Sequence, residues 1–416
     1  MTEFFDALET RDPAAREAAL MAALPAHVAH AQQRSAAFAD ILAGVDAAAV
    51  GSRAALAGLP VTRKGELLAR QQASRAAGRD AFGGFATGRW GAAMRRVYAS
   101  PGPIYEPEGT AVDYWRTARA LYAAGFRAGD LVHNAFSYHM TPGAFILEAG
   151  ALAVGCTVFP AGTGQTEQQL QAIGELKPTA YVGTPSFLRI LFEKAQESGA
   201  DMRSLTKGMV SAEPFPPSLR DWFAERGMTA YQSYATADAG LIAYETAVRQ
   251  GLVLDEGVIV EIVRPGTGDP VPEGEVGEVV VTVLNPDYPL IRFGTGDLSA
   301  VLAGACPTGR TNTRIKGWMG RADQTTKIRG MFVHPGQVAE VVRRFPEVAR
   351  ARLVVTGAMA NDQMTLRVES ANVPGLAERL ADAVRDVTKL RSQIELVAPG
   401  SLPNDGKVIE DARSYE

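Results

Sequence analysis

Tyr288-Pro-Leu-Ile-Arg-Phe-Gly-Thr-Gly-Asp-Leu298, followed by Gly320-Arg-Ala-Asp-Gln-Thr-Thr-Lys-Ile-Arg-Gly330, decides how this chain is read. Taken alone, an aspartate in a Gly-Asp step after a strand is a turn residue. Asp297, however, stands in one string with Pro289, Arg292 and Thr295. An ionised carboxylate there offers several acceptor sites and makes charge-assisted bonds. The second piece concentrates Arg321, Asp323 and Lys327 in a charged turn. A residue at such an element boundary is well placed to absorb a backbone rotation.

Outward from this segment, 416 residues exceed one compact core, so two or three domains are expected. A hydrophobic share of 46% with 21% charged residues is that of an ordinary globular protein. The formal net charge of −4 gives no general reason to bind nucleic acid or an acidic membrane. The most apolar segment, 141–162, is broken by Pro142 and Glu148, so no membrane span is expected. Met1-Thr-Glu-Phe-Phe-Asp6 lacks the basic start of a signal peptide. Two cysteines, Cys156 and Cys306, cannot form a metal cage, and a reduced cytoplasm is the expected location.

Residues 12–40 are alanine-rich with helical spacing, and Thr62 and Glu66 suggest a capped helix start. From about 97 to 240, helical stretches (110–125, 142–154, 165–175, 186–198) alternate with short apolar runs. Helix and strand in that alternation imply a parallel sheet covered on both faces. After 250, short runs such as Val258–Val263 and Gly277–Leu284 are joined by Gly/Pro/Asp turns, which suggests an antiparallel, barrel-like subdomain. From about 324 a small α+β domain follows, with a long helix over 374–390. The fold class is therefore α/β, with a large domain over 1–322 and a small α+β domain over 323–416.

The two opening pieces, with Ser211-Ala-Glu-Pro214, Tyr234-Ala-Thr-Ala-Asp238 and Pro403-Asn-Asp-Gly-Lys407, resemble motifs of the AMP-forming acyl-CoA synthetases. The nearest branch is the phenylacetate-CoA ligase family, and the resemblance runs from about residue 25 to the end. It implies that Asp297 accepts both ribose hydroxyls, that Arg321 reaches the ribose or phosphate, and that Asp323 is the hinge. It implies that Ser211, Ala212, Glu213, Pro214 and Tyr234 line the nucleotide site, and that Thr236 touches phosphate. Asp238, one methylene shorter than the family's glutamate, is the expected Mg²⁺ ligand; it is also a residue that favours a helix start. Lys407 is the expected adenylation lysine, a flexible ammonium that stabilises charge on the reacting phosphate and carboxylate. Phe136, Tyr138, Phe215, Ala235 and Ile242 are the expected acyl pocket, beside Ser137, while Lys327 and Gly330 are expected to serve coenzyme A. Glu245 has no assigned role, and His139 is read as a buried, satisfied histidine.

Two features depart from the family pattern. Its phosphate-binding loop is rich in Ser, Thr and Gly and ends in lysine, whereas this chain has Tyr98-Ala-Ser-Pro-Gly-Pro-Ile-Tyr-Glu-Pro-Glu108. Pro101, Pro103 and Pro107 carry no N–H donor, and Glu106 and Glu108 add negative charge where polyphosphate is expected. Some relatives hold zinc near a Cys-Gly-Arg turn; only Cys306 is present here, so no structural zinc is expected.

The activity implied by the resemblance has two steps. An aromatic, phenylacetate-like carboxylic acid is activated by ATP and Mg²⁺ to an acyl adenylate, which is then transferred to coenzyme A. A homodimer is a family expectation. Two alternatives stand beside it: the same fold with another acceptor, such as a carrier-protein thiol or an amine, and a non-catalytic binder of AMP or an aryl acid.

Overall fold

In the computed structural model, the described residues are 3–264, 266–319, 322, 326–329, 331–333, 335–357, 362–371, 373–403 and 407–413. The chain divides into two compact units, residues 1–320 and 321–416.

The first unit is built on a nine-stranded mixed sheet. Five neighbouring strands are parallel, in the spatial order Thr229–Thr236, Lys207–Val210, Ala180–Gly183, Leu131–Asn134 and Thr157–Phe159. Gly240–Glu245, Leu252–Leu254, Arg314–Ile315 and Val301–Leu302 continue it antiparallel. The helices Gly143–Val154, Thr166–Leu176 and Pro185–Ser198 fall within a residue of the positions the periodicity predicts. Pro185–Ser198 shows why: the Thr184 hydroxyl accepts from Phe187 N, Pro185 opens the first turn, and left-handed Gly199 closes the last.

The helix expected over 110–125 shortens to Ala118–Ala123. Asp113 (φ 51°) and Arg116 (φ 65°) are left-handed, and the Asp113 carboxylate accepts from Thr117 N at 2.7 Å and Ala118 N at 2.9 Å. The local side-chain bonds hold a turn where periodicity alone suggests helix.

The antiparallel strands after residue 250 divide between two sheets. Some extend the large sheet. Val258–Val263, Gly277–Val283 and Phe293–Ser299 instead form a second sheet of four strands, closed at one edge by Thr62–Arg63. Thr62 is thus a buried strand residue and not a helix cap. The helix Lys64–Ala76 starts after Arg63, whose N–H donates to the Glu66 carboxylate at 3.3 Å.

The proline-rich segment is not a loop. Met94–Ser100 and Ile104–Gly109 pair as an antiparallel hairpin around Pro101-Gly102-Pro103. Pro107 is tolerated because a two-stranded ribbon leaves edges that need no ladder donor. Glu106 and Glu108 share one face by the period-two rule, and both are buried. Glu108 is paired with Arg96 at 3.0 Å and bonded by Tyr98 Oη, while Glu106 accepts from the Ser100 hydroxyl. The two carboxyls expected to face polyphosphate are instead turned inward, Glu108 onto a guanidinium and Glu106 onto a hydroxyl.

The second unit has a sheet in the order Gln393–Val397, Gln363–Glu369, Arg350–Thr356, Ile409–Asp411. The helices Pro335–Arg343 and Leu376–Thr388 belong to the same unit, whose core includes Leu353, Val355, Leu366, Leu380 and Val384. Among the described residues, no helix is long and apolar enough to cross a membrane.

Candidate functional site

The carboxyl ends of parallel strands, where chain direction leaves a crevice, are where α/β sheets place ligands. Here those ends carry Phe136 after Leu131–Asn134, Thr184 after Ala180–Gly183, and Ser211–Pro214 after Lys207–Val210. The Ser211 hydroxyl donates to Ser233 O at 2.8 Å, and Ser186 N donates to Glu213 Oε2 at 3.2 Å. Ala212 between them has φ 70°, a region costly for alanine, so the turn is held against local preference.

Tyr234 connects this edge to the second sheet. Its hydroxyl lies 2.9 Å from Asp297 Oδ2 and 3.1 Å from Thr295 Oγ1. Asp297 sits on Phe293–Ser299, and its Oδ1 accepts from Trp318 Nε1 at 3.1 Å. The two motifs that the sequence singles out, 234–238 and 288–298, are therefore joined at one carboxylate.

Thr236 ends its strand, and its hydroxyl accepts from Ala239 N at 3.0 Å, making a hairpin turn where a helix start was the alternative. Gly240 (φ 69°) completes the turn because a Cβ there would meet the Trp115 ring at 3.0 Å. Arg116 braces the turn from behind by donating to Ala239 O and Leu241 O. Asp238 is thus presented on a rigid turn with its side chain 1% exposed.

Lys64 approaches Asp238 from the start of the helix Lys64–Ala76, with Nζ 2.8 Å from Oδ2. Asp238 Oδ1 and the Tyr288 hydroxyl are buried without a hydrogen-bond partner among the described residues. Burial and the neighbouring Asp238 carboxylate push the Glu106 carboxyl up, to about 8, against donation from Ser100 and the Lys64 ammonium. A buried, unpartnered carboxylate oxygen with a second carboxyl beside it is donor chemistry that suits Mg²⁺. Among the described residues, no group of three or more His, Cys, Asp or Glu is arranged to hold a metal. Changing Lys64 to Met is expected to cost about 1–2 kcal/mol, below the range for a fully buried pair because the lysine is 39% exposed. Chemical denaturation of the variant checks this; no change in midpoint would mean the Asp238 charge is compensated elsewhere.

The expected acyl-pocket residues have varied surroundings. Ile242 is fully buried in the core against the second sheet and does not present its side chain to a ligand. Phe215 packs on Phe223 and under the Arg220 guanidinium. The Tyr138 hydroxyl donates to Glu148 at 2.6 Å, and its ring meets Phe145 edge-on. Phe136 is 9% exposed, and Ala235 is half-buried beside Tyr234. Glu245, without an assigned role, takes both oxygens to Arg220 Nη1 at 2.6 and 2.7 Å, tying the helix Pro217–Ala224 to the sheet. His139 is exposed, not buried. Lys407 is exposed just ahead of Ile409–Asp411. Arg321, Asp323, Gly330 and the side chain of Lys327 lie outside the described residues. An open cleft of about 630 Å³ elsewhere in the unit, lined by Val271, Leu302 and Arg310 among others, takes in none of the site residues.

Residues 112–283 match the AMP-binding enzyme family, and residues 330–411 match the AMP-binding enzyme C-terminal domain. The phenylacetate-coenzyme A ligase of Thermus thermophilus is 32% identical over 361 residues, spanning 77% of this chain and 80% of the relative. This chain belongs to the phenylacetate-coenzyme A ligase family. The ligase of Escherichia coli that bears the same name is 30% identical, over 75% of this chain and 77% of its own. Among solved structures, a 2-hydroxyisobutyryl-CoA ligase in complex with 2-HIB-AMP and CoA superposes with a TM-score of 0.83. It is 26% identical, and the match covers 98% of this chain and 92% of that one.

Lys64 and Trp318 are the site residues that sequence reading missed. Lys64 directly follows the strand Thr62–Arg63, and Trp318 stands two residues before the Gly-Arg motif. Their positions next to motif residues were the available signal.

Proposed function

We propose that this chain is an ATP-dependent, AMP-forming acid–thiol ligase that activates an aromatic, phenylacetate-like carboxylic acid and transfers it to coenzyme A. The observation that carries the reading is the Tyr234–Asp297–Trp318 arrangement on a family member that spans most of its relatives' length. A buried carboxylate held by two aromatic donors is a preorganised acceptor for a ribose diol.

In the first half-reaction the acid's carboxylate oxygen attacks the α-phosphorus of ATP and the bond to pyrophosphate breaks. Asp297 and Arg321 orient the nucleotide, and Ser211–Pro214 border it. Lys407 supplies a mobile cation for the charge that builds in the transition state. Asp238 would hold Mg²⁺, which would supply further neutralisation of the phosphates. In the second half-reaction the thiol gives its proton to solvent, its sulfur bonds to the acyl carbon, and the bond from that carbon to the phosphate oxygen breaks to release AMP. The C-terminal unit turns about Asp323 between the steps, with Lys327 and Gly330 serving the thiol partner. The enzyme works in the cytoplasm as a homodimer.

A second reading, a binder of AMP or an aryl acid without catalysis, is favoured by one observation. The hairpin at 94–109 commits the Ser100 hydroxyl to Glu106 and contains three prolines where phosphate donors are needed. Acid-dependent ATP–pyrophosphate exchange with a panel of aryl and aliphatic acids separates the readings. Exchange with an arylacetic acid is the expected result. Its absence with every acid, beside calorimetric AMP binding, would establish the second reading instead.

A further inference from the structure

Trp318 is a large aromatic residue left 43% exposed, yet every polar handle around it is fixed. The next residue, Met319, donates its N–H to Leu298 O at 2.9 Å, and the preceding Gly317 carbonyl accepts from the Ser299 hydroxyl at 2.7 Å. The backbone on both sides is therefore tied to the strand Phe293–Ser299 that carries Asp297. The indole N–H then reaches Asp297 Oδ1 at 3.1 Å, while Tyr234 Oη reaches the other oxygen at 2.9 Å.

A carboxylate bonded at each oxygen by a different aromatic donor is held against rotation about its terminal bond. Burying an indole N–H against a carboxylate is common enough. What distinguishes this ring is its place: its N–H is spent on the carboxylate while its face stays open beside it, where a group bound to Asp297 would lie.

The geometry points to Trp318 as a nucleotide-positioning residue: its N–H fixes the orientation of Asp297, and its exposed ring covers the sugar of a ribonucleotide bound there. This rests on Asp297 being the ribose carboxylate. The recognised class is a ribonucleoside monophosphate or its acyl ester, and the discrimination lies at the 2′-hydroxyl. A diol needs the carboxylate plane set to within a narrow angle, whereas a single hydroxyl follows the carboxylate as it turns.

The test uses the full chain with AMP and 2′-deoxy-AMP as probes, by titration calorimetry and tryptophan emission. The other three tryptophans, Trp90, Trp115 and Trp222, are the internal control. AMP is expected to change the emission of the unaltered protein and to leave that of Trp318→Phe unchanged. Trp318→Phe keeps a ring but loses the N–H, so AMP affinity is expected to fall about three- to tenfold. Its preference for AMP over 2′-deoxy-AMP is expected to shrink towards unity. Trp318→Ala loses the ring as well and is expected to fall about thirtyfold. Asp297→Asn is the reference for the underlying reading, because it must lose AMP whatever Trp318 does. If Asp297→Asn loses AMP while both Trp318 variants bind and discriminate as the unaltered protein does, the Trp318 assignment is overturned and the ribose role stands. If Asp297→Asn binds AMP normally, the ribose role itself is overturned, and the Trp318 assignment with it.

Discussion

Lys407→Ala is expected to lower acid-dependent ATP–pyrophosphate exchange by about 10²–10³-fold, the scale for removing one donor aimed at developing charge. Thioester formation from supplied acyl adenylate is expected to survive. The asymmetry follows from where charge develops. When carboxylate and α-phosphate join, two anionic groups approach one phosphorus, and a cation on a flexible stem lowers that barrier. When a thiol displaces AMP from an acyl carbon, charge builds on the acyl oxygen and the departing phosphate oxygen and none at a phosphorus under attack, so a lysine aimed at that phosphorus has no comparable task. The local structure allows the experiment to be read cleanly. Lys407 is exposed, while the backbone just beyond it is fixed: Leu353 N donates to Val408 O at 2.9 Å, and Ile409–Asp411 pairs with Arg350–Thr356. Removing an exposed side chain there is expected to change stability by no more than about 0.5 kcal/mol. Lys407→Arg is expected to restore little, since a planar guanidinium does not replace a compact ammonium in a confined site. Equal loss of both half-reactions would overturn the assignment of Lys407 to the first step.

What could be read in the sequence follows from how far each signal reaches along the chain. The parallel region was legible because its helices carry their own start and stop signals, as Thr184-Pro185 and Gly199 do. The same local logic failed at 94–109, where three prolines suggested a loop. Pairing across the hairpin depends on Glu106 and Glu108 finding Ser100, Tyr98 and Arg96, and no local pattern announces those contacts. Asp297 and Tyr234 were each legible as motif residues, and their meeting at 2.9 Å is a long-range outcome of two sheets. Ile242 shows the opposite failure. Proximity in sequence to Tyr234 and Asp238 suggested a pocket, but its side chain is buried in the core cluster it shares with the second sheet. Lys64 could not be paired with Asp238 from sequence, because 174 positions separate them.

Arg292 carries the other large effect, and it concerns stability. It belongs to the string that defines the nucleotide motif, yet its side chain is 2% exposed and touches no expected ligand atom. Its Nε donates to Glu261 Oε2 at 3.0 Å, Nη1 to Ala57 O at 2.7 Å and to Leu59 O, and Nη2 to Gly268 O at 2.6 Å. One guanidinium thereby ties the segment before Thr62–Arg63 and the turn at Gly268 to the first residues of the strand bearing Asp297. Its backbone, at φ 47°, is held in a region that arginine avoids, which only a fully used side chain makes tolerable. Arg292→Met keeps much of the stem volume and removes every donor. The variant is expected to lose about 3–5 kcal/mol, because the Glu261 carboxylate and three carbonyls are left buried without a partner. Burial already raises the Glu261 pKa, and Arg292 is the main influence lowering it, so the variant's Glu261 will be driven further towards the neutral acid. The double variant Arg292→Met/Glu261→Gln is therefore expected to be more stable than the sum of the two single losses predicts. Denaturant midpoints of the four proteins measure this coupling; a loss below about 1 kcal/mol in Arg292→Met would overturn it. If the arginine acts only through the scaffold, the destabilised protein still binds AMP once folded. Saturating AMP at about a hundred times its Kd is then expected to return roughly 2.7 kcal/mol to the variant and to the unaltered protein alike. A variant that AMP fails to stabilise would place Arg292 in the nucleotide site, against the contacts observed here.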